Sequence, residues 1–251
     1  MKRSLNELRG YDIKAKDGLK GSVKDFLFDE ERWIIRYLEA DLGVIFSGRK
    51  VLIPKMFLKD PDWAQQQYPV ELSSSDIERC PELEEKLPVS RKYEEQLNRY
   101  YKISDYWAYA HTSALATPGI THPPRPIQTF SEIVIDENNI NTHLRSFNEI
   151  KGYHVVALDG EIGHIDDIIV DTNSWQIIYG VVDTSNWLPW SKKVLIGVHR
   201  MEEISYVEKK ININLHVETI KMAPEFDPST PVNEEVEKQL YDYFGRPVIQ
   251  E

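Results

Sequence analysis

Two stretches of the sequence are nearly the same: LNELRGYDIKAKDGLKGSVKDFLFD runs from Leu5 to Asp29, and FNEIKGYHVVALDGEIGHIDDIIVD runs from Phe147 to Asp171. An offset of 142 positions aligns them without a gap. The aligned identities include Asn6 with Asn148, Glu7 with Glu149, Gly10 with Gly152, Tyr11 with Tyr153, Asp17-Gly18 with Asp159-Gly160, Gly21 with Gly163, Asp25 with Asp167, and Asp29 with Asp171. Chance would match only a few positions, so the chain contains a duplication.

The duplication extends well beyond these stretches. Trp33, Tyr37 and Asp41 align with Trp175, Tyr179 and Asp183. After a one-residue insertion the offset becomes 143, which pairs Pro81-Glu82 with Pro224-Glu225, Pro88-Val89 with Pro231-Val232, and Gln96-Leu97 with Gln239-Leu240. This period exceeds the roughly 20–50 residues of solenoid repeats. The sequence therefore predicts two copies of one domain, at residues 1–105 and 144–251.

The stretch between the copies has no counterpart elsewhere in the chain. Residues 106–143 include four prolines within nine positions, from Pro118 to Pro126. Proline favours an extended, polyproline-like backbone over helix or sheet. We therefore predict a Pro-rich linker at 106–143.

Each copy is expected to be rich in strands. The Asp-Gly pairs at 17–18 and 159–160 lie between apolar runs and are typical of a hairpin turn, because glycine readily adopts positive φ. Trp33 and Trp175 open segments dense in β-branched and aromatic residues, which predicts a further strand in each copy.

Each copy is also expected to end in a helix. Ser90–Tyr101 and Asn233–Phe244 begin with a residue that commonly caps a helix, and each carries one apolar stripe at helical spacing. The predicted fold class is mainly β, with two tandem small antiparallel β-barrels that are each followed by a C-terminal α-helix.

The motifs of both copies resemble those of the PRC-barrel domain family. They are Gly-Tyr at the first strand, Asp-Gly, then G-x-[VI]-x-D, a tryptophan that opens a strand ending in aspartate, and a late P-E-[LF] element before a helix. The segment Met222–Pro228, MAPEFDP, adds to the resemblance. The family includes many bacterial proteins. It also includes the cytoplasmic domain of the photosynthetic reaction centre H subunit, which tunes proton and electron transfer.

This resemblance implies a non-catalytic scaffold or regulatory module that binds a protein partner and has a role in electron transfer or in assembly of a complex. The first alternative is a binder of a small apolar, quinone-like ligand, and the second is an enzyme with an unrecognised site. A homo-oligomer is a further open alternative.

The net charge of −11 is spread unevenly, and residues 144–251 carry 10 basic and 18 acidic side chains. So acidic a chain repels phosphate backbones and anionic membrane surfaces, and we expect no nucleic-acid partner.

No apolar run approaches the ~18 residues of a membrane span, and the start lacks an apolar signal segment. The single cysteine, Cys80, cannot form an internal disulfide. The expected location is the cytoplasm.

The aspartates that recur in both copies are the candidate site residues. Asp29 and Asp171 follow a strand, where aspartate is typical of a turn. Asp25 and Asp167 lie within predicted strands and are weak candidates for acid–base chemistry. The alternative for Asp25 and Asp167 is that they are solvated on an exposed face or paired with a nearby lysine.

The sequence shows no established catalytic or metal-binding motif. It lacks G-x-S-x-G, P-loop and G-x-G-x-x-G patterns, and its seven histidines form no H-E-x-x-H or i, i+4 pair. Cys80 is interpreted as a small, half-buried residue rather than a nucleophile. We therefore expect no enzyme activity, no metal and no cofactor.

Two equivalent loops are unusually apolar and form a candidate interaction patch. One contains Trp187, Leu188 and Trp190; the other contains Val44, Ile45 and Phe46. Apolar loops either cover their own barrel or contact a partner, and both interpretations stay open. Tyr106, Trp107 and Tyr109 at the linker start are expected to anchor the linker to a domain.

Overall fold

The computed structural model describes residues 1–43, 48–83, 89–105, 143–184 and 192–245. The strands are β1 (Lys2–Ser4), β2 (Asp12–Ala15), β3 (Gly18–Asp29), β4 (Ile34–Asp41), β5 (Lys50–Pro54), β6 (Gln67–Pro69), β7 (Leu144–Ser146), β8 (His154–Ala157), β9 (Gly160–Asp171), β10 (Gln176–Asp183), β11 (Lys193–Gly197), β12 (Met201–Ser205) and β13 (Lys210–Ile213). The α-helices are α1 (Leu5–Leu8), α2 (Ser74–Arg79), α3 (Arg91–Tyr101), α4 (Phe147–Ile150), α5 (Val217–Met222) and α6 (Glu234–Phe244). Short 3-10 turns lie at Lys55–Phe57 and Val198–Arg200.

The described part of the chain is mainly β, and its strand order recurs. In the first half, residues 1–105, the order is β6-β2-β3-β4-β5; in the second half, residues 144–251, it is β13-β8-β9-β10-β11. Consecutive strands pair in antiparallel fashion, as predicted. The expectation of a purely antiparallel sheet is wrong for two pairs, because β6 returns parallel to β2 and β13 returns parallel to β8.

The Asp-Gly turns form the predicted hairpins and also hold a helix. Asp17 accepts hydrogen bonds of 2.7 Å from the backbone N and the Oγ of Ser74, at the start of α2. Asp159 accepts a 2.7 Å bond from the backbone N of Val217, at the start of α5. One residue type therefore forms the turn and orients the helix that follows the sheet.

The glycine of the G-x-[VI]-x-D motif is required by close backbone packing. Gly21 has a φ of +77°, and a Cβ there would lie 2.1 Å from the carbonyl oxygen of Asp41. At Gly163 the same distance, to the carbonyl oxygen of Asp183, is 2.0 Å. Real Cβ atoms do not approach an oxygen so closely, so the strand pair can form only around glycine.

The predicted helices at the end of each copy are confirmed. Ser90 caps α3 by accepting from the Tyr93 backbone N, and Asn233 caps α6 by accepting from Glu235 and Val236. Each helix docks on its own sheet through an equivalent pair. The Tyr37 hydroxyl bonds Glu94 at 3.1 Å, and the Tyr179 hydroxyl bonds Glu237 at 3.2 Å.

The two halves share one hydrogen-bonded sheet and one main core. Strands β4 and β10 meet at Ile34 and Gln176, where the Ile35 N–H donates to the Trp175 carbonyl and the Ile177 N–H donates to the Trp33 carbonyl. The Trp175 ring lies about 6 Å from the rings of Phe26 and Tyr68 in the first half. Both tryptophans were predicted to open a strand. They instead stand just before it, with φ of +52° and +63°, at the contact between the halves.

Candidate functional site at the interface of the two halves

The first strand of each half pairs with the other half. Strand β1 is antiparallel to β9, with Ser4 opposite Ile169. Strand β7 is antiparallel to β3, with Ser146 opposite Leu27. The helices α1 and α4 follow these strands, so each half contributes a strand and a helical turn to its neighbour. We call this arrangement the reciprocal exchange.

In the first half, Asp25 accepts the hydrogen bonds that hold the exchanged segment of the second half. Its carboxylate accepts a short hydrogen bond from the Ser146 hydroxyl and a 3.1 Å bond from the backbone N of Asn148. The same Ser146 hydroxyl accepts from the Glu149 backbone N and so caps α4. Asp25 is only 2% exposed, so this contact is closed to solvent.

Asp167 makes the matching contact in the second half. It accepts from the Ser4 hydroxyl and, at 3.1 Å, from the backbone N of Asn6. Ser4 in turn caps α1 through the Glu7 backbone N. The two contacts are thus equivalent by the same offset of 142 that relates the sequences.

Burial is the largest influence on the pKa of both carboxyls. Desolvation raises the pKa of Asp25, although the bonds from Ser146 and from the backbone of Phe26 and Asn148 act in the opposite direction. Desolvation likewise raises the pKa of Asp167. These weak acid–base candidates do have perturbed pKa values. Their partners, however, are serine and backbone N–H groups, and no hydrogen bond or ion pair in the described residues joins either one to a histidine. The arrangement binds the halves together.

A second polar contact surrounds Glu30, at the end of β3. The Arg145 guanidinium bonds the Glu30 carboxylate at 3.0 Å and lies 3.9 Å over the Tyr206 ring, and the Tyr206 hydroxyl donates to Glu30. In the first half, Arg3 lies 3.9 Å over Trp63, at the position equivalent to Tyr206. Each exchanged strand therefore carries an arginine that stacks on an aromatic ring.

Asp29 and Asp171 have the turn role that the sequence indicates. Asp29 accepts from the backbone N of Glu31 and Arg32 and from the Arg36 guanidinium at 2.7 Å. Burial acts to raise the pKa of Asp29, but these bonds outweigh it and hold the pKa below its usual value. Asp171 accepts from the Asn173 backbone N at 3.1 Å.

Cys80 is more deeply buried than predicted, with no exposed surface. Burial raises the pKa of its thiol to about 11, so the thiolate nucleophile is disfavoured at neutral pH. Arg49 donates to the carbonyls of Glu78 and Cys80 nearby. Lys192 donates in the same way to the equivalent carbonyls of Lys221 and Ala223. A cationic side chain therefore caps the C-terminal end of α2 and of α5.

Several sequence-based predictions lie outside the described residues. They concern Trp187, Leu188, Trp190, Val44, Ile45, Phe46 and the segment 106–142. The strands that flank both apolar loops are described and are equivalent, since β4 pairs with β5 and β10 pairs with β11. Within the described ranges no group of three or more His, Cys, Asp or Glu side chains is placed to hold a metal. No described helix is both long and apolar enough to span a membrane.

The exchange itself was missed at the level of sequence, although a signal was present. Residues 3–7 read RSLNE and residues 145–149 read RSFNE. Serine followed three residues later by glutamate is typical of a helix start. This pattern predicts α1 and α4, but it does not say which half receives them.

The fold and the interface define a mainly β protein in which one strand order occurs twice and the two halves exchange their first segments. Residues 143–219 match the PRC-barrel domain family. A comparison with curated proteins finds no match. For the first half, assignment to the same family is a proposal that rests on the internal repeat.

Proposed function

We propose that this chain is a non-catalytic protein-interaction module, a scaffold or regulator, built from two PRC-barrel-like domains. The domains are residues 1–105 and 144–251, and residues 106–143 join them. The family match of the second half supports the proposal, as does the recurrence of its strand order in the first half. Tuning of electron transfer, or assembly of a complex, is the finer role that the family suggests.

The reciprocal exchange is the observation that carries this proposal. It places Asp25 and Asp167, which are polar residues common to both halves, in bonds between the halves. The exchanged strands and the β4–β10 contact fix the position of one half relative to the other. Fixed spacing reduces the ordering cost of binding, which suits a scaffold.

The charge of the second half points to the chemistry of the partner. Its excess of eight acidic side chains favours a protein with a basic or neutral surface and speeds the encounter with one. A cytoplasmic location and the absence of a nucleic-acid partner are parts of the same proposal.

The alternative of a quinone-like ligand stays open, because a cavity of about 140 Å³ lies beside α6 at Phe226, Val236 and Leu240. The apolar cavity between β11 and α6, which includes Leu195, Leu240 and Phe244, has a volume of about 20 Å³. This is space for about one water molecule. An enzyme with an unrecognised site stays an alternative, although no described hydrogen bond joins Asp25 or Asp167 to a histidine.

The experiment is affinity purification of the full chain from its native cells, with wild type beside the double variant Trp187→Ala/Trp190→Ala. We expect one defined complex that the double variant loses. Val207→Ser serves as the control, because Val207 is 95% exposed in the β12–β13 turn and is not a residue of the candidate patch. A folded double variant that retains the complex would exclude the patch, and the absence of any specific partner would exclude the function.

A further inference from the structure

One cavity beside the trailing helix differs in size between the equivalent positions of the two halves. In the first half it is a cavity of about 120 Å³ between β4, the 3-10 turn and α3. In the second half the equivalent space, which shares the positions of Tyr179, Gly197, His199 and Tyr241, is about 20 Å³. The first cavity is therefore several times larger than a single water requires.

The lining of the larger cavity is cationic. Its residues are Arg36, Tyr37, Pro54, Lys55, Met56, Asn98, Ile103 and Ser104. Two of them are cations and none is a carboxylate. Arg36 is already bonded to Asp29 through Nη2, but Lys55 makes no ion pair with any described residue. The lining thus offers an uncompensated positive charge at Lys55.

Asn98 adds a buried acceptor that has no donor. Its side chain is on α3 and its residue is 2% exposed. The Nδ2 group donates to Asp105 at 2.8 Å, whereas the Oδ1 atom has no hydrogen-bond partner. A buried carbonyl without a donor loses its hydrogen bond to water and gains none from the protein, so such groups call for an explanation.

The second half shows that the fold does not need these polar groups. Arg36, Lys55 and Asn98 align with Ile178, Val198 and Tyr241. Ile178 and Val198 pack against the apolar clusters of the second half. Apolar residues fill two of the three equivalent positions at lower desolvation cost. Arg36 has a structural role through Asp29, whereas no packing role in the described residues accounts for the charge of Lys55.

We propose that this cavity binds a small oxyanion that also carries a hydroxyl or a protonated oxygen. The anionic oxygens bond Lys55 and Arg36, and the O–H group donates to Asn98 Oδ1. Burial, together with the nearby Arg36 guanidinium, lowers the pKa of Lys55 to about 8. A bound anion would compensate that destabilised ammonium. The cavity and the candidate interaction patch share no residue, so the two proposals can be tested separately.

Matched probes test both parts of this recognition. The full chain is titrated calorimetrically in chloride buffer at constant ionic strength with phosphate and with sulfate, and then with glycolate and with acetate. Each pair has similar size and charge, but only the first member carries the O–H group at neutral pH. We expect saturable binding of phosphate or of glycolate, at least ~5-fold tighter than that of its partner, as one hydrogen bond provides. The pair that binds identifies the oxyanion as a phosphate or a carboxylate.

The residue at the equivalent position of the second half suggests the first of the variants. Lys55→Val installs the residue at the equivalent position and should weaken binding ~10-fold or more. Lys55→Met, which nearly keeps the length of the side chain, should do the same. Asn98→Leu should remove the preference for phosphate over sulfate. Lys59→Met, a nearby lysine that is paired with Glu71, is the control and should bind as wild type does.

Stability without ligand gives an independent readout. In anion-free chloride buffer Lys55→Val should melt ~2–4 °C above wild type, because it removes a desolvated charge. Affinity unchanged in both Lys55 variants, equal affinity for phosphate and sulfate and for glycolate and acetate, or no saturable binding of any probe would overturn the proposal.

Discussion

Ser146 donates a hydrogen bond to the carboxylate of Asp25, although 121 residues separate them in the chain. Ser4 and Asp167 repeat this relationship in the opposite direction. Each serine also caps the helix that begins beside it. The exchanged segments are thus fixed at one point that combines a strand end, a helix start and a buried carboxylate.

Ser146→Ala should lower the free energy of unfolding by about 1–3 kcal/mol, because it removes a donor from a buried carboxylate and a cap from α4. Ser4→Ala should have an effect of similar size, since its contacts are equivalent. Urea denaturation provides the measurement. Ser75→Ala is the control, because no described hydrogen bond involves that side chain, and it should change the free energy by less than about 0.5 kcal/mol. A loss below that limit in both Ser146→Ala and Ser4→Ala would contradict the anchoring role.

Much of the fold could be predicted from the sequence because its determinants are local. The Asp-Gly hairpins and the capped helices after Ser90 and Asn233 depend on turn and cap preferences that short stretches express. The exchange could not be predicted in this way. Ser4 bonded to Asp25 and Ser4 bonded to Asp167 would satisfy the same local pattern, and only the tertiary arrangement distinguishes them.

The candidate oxyanion site was equally hidden, for a different reason. Alignment of Lys55 with Val198 and of Asn98 with Tyr241 could have indicated a difference between the copies. Their separation along the chain, however, gives no sign that α3 brings Asn98 to the turn that carries Lys55. The parallel pairing of β6 with β2 was missed because β6 has only three residues, too few for a pattern.

The raised pKa values of Asp25 and Asp167 predict a pH effect on stability. A carboxyl whose pKa is higher in the folded state stabilises the fold at pH below its unfolded value, near 3.8. That contribution is lost as pH rises through the folded value. The stability of wild type relative to Asp25→Asn/Asp167→Asn should therefore fall as the pH rises above about 4, by about 1.4 kcal/mol for each unit of pKa difference at each site.

Denaturation curves of both proteins at several pH values give this difference directly. Glu39 and Glu149, whose pKa values burial also raises, are present in both proteins. The Asp25 charge contributes to both of these shifts, so part of their pH dependence is included in the difference. A difference in stability that stays constant with pH would show that the two aspartates do not change protonation in the manner expected.

Gly21→Ala should destabilise the protein by about 2–4 kcal/mol or prevent folding, because a methyl group at this position would overlap the carbonyl of Asp41. Gly10→Ala is a matched control. Gly10 also has a positive φ, of +85°, but its added Cβ would meet no atom within 4 Å. The control should lose only about 1 kcal/mol, the cost of a left-handed residue. Equal losses in the two variants would mean that β3 and β4 do not pack as closely as described.

The shared sheet and core predict that the two halves unfold together. Trp175 is in the second half but packs on Phe26 and Tyr68 of the first, and β1 and β7 each complete the other half. Calorimetry should therefore show one transition with a calorimetric enthalpy close to the van't Hoff value.

Trp175→Ala should lower the stability of the whole protein by about 3–5 kcal/mol. Hydrogen exchange of the β2–β3 amides should then accelerate as much as that of the β10–β11 amides. Two separate transitions, or acceleration confined to residues 144–245, would show that the halves are independent domains and that the exchange adds little to stability.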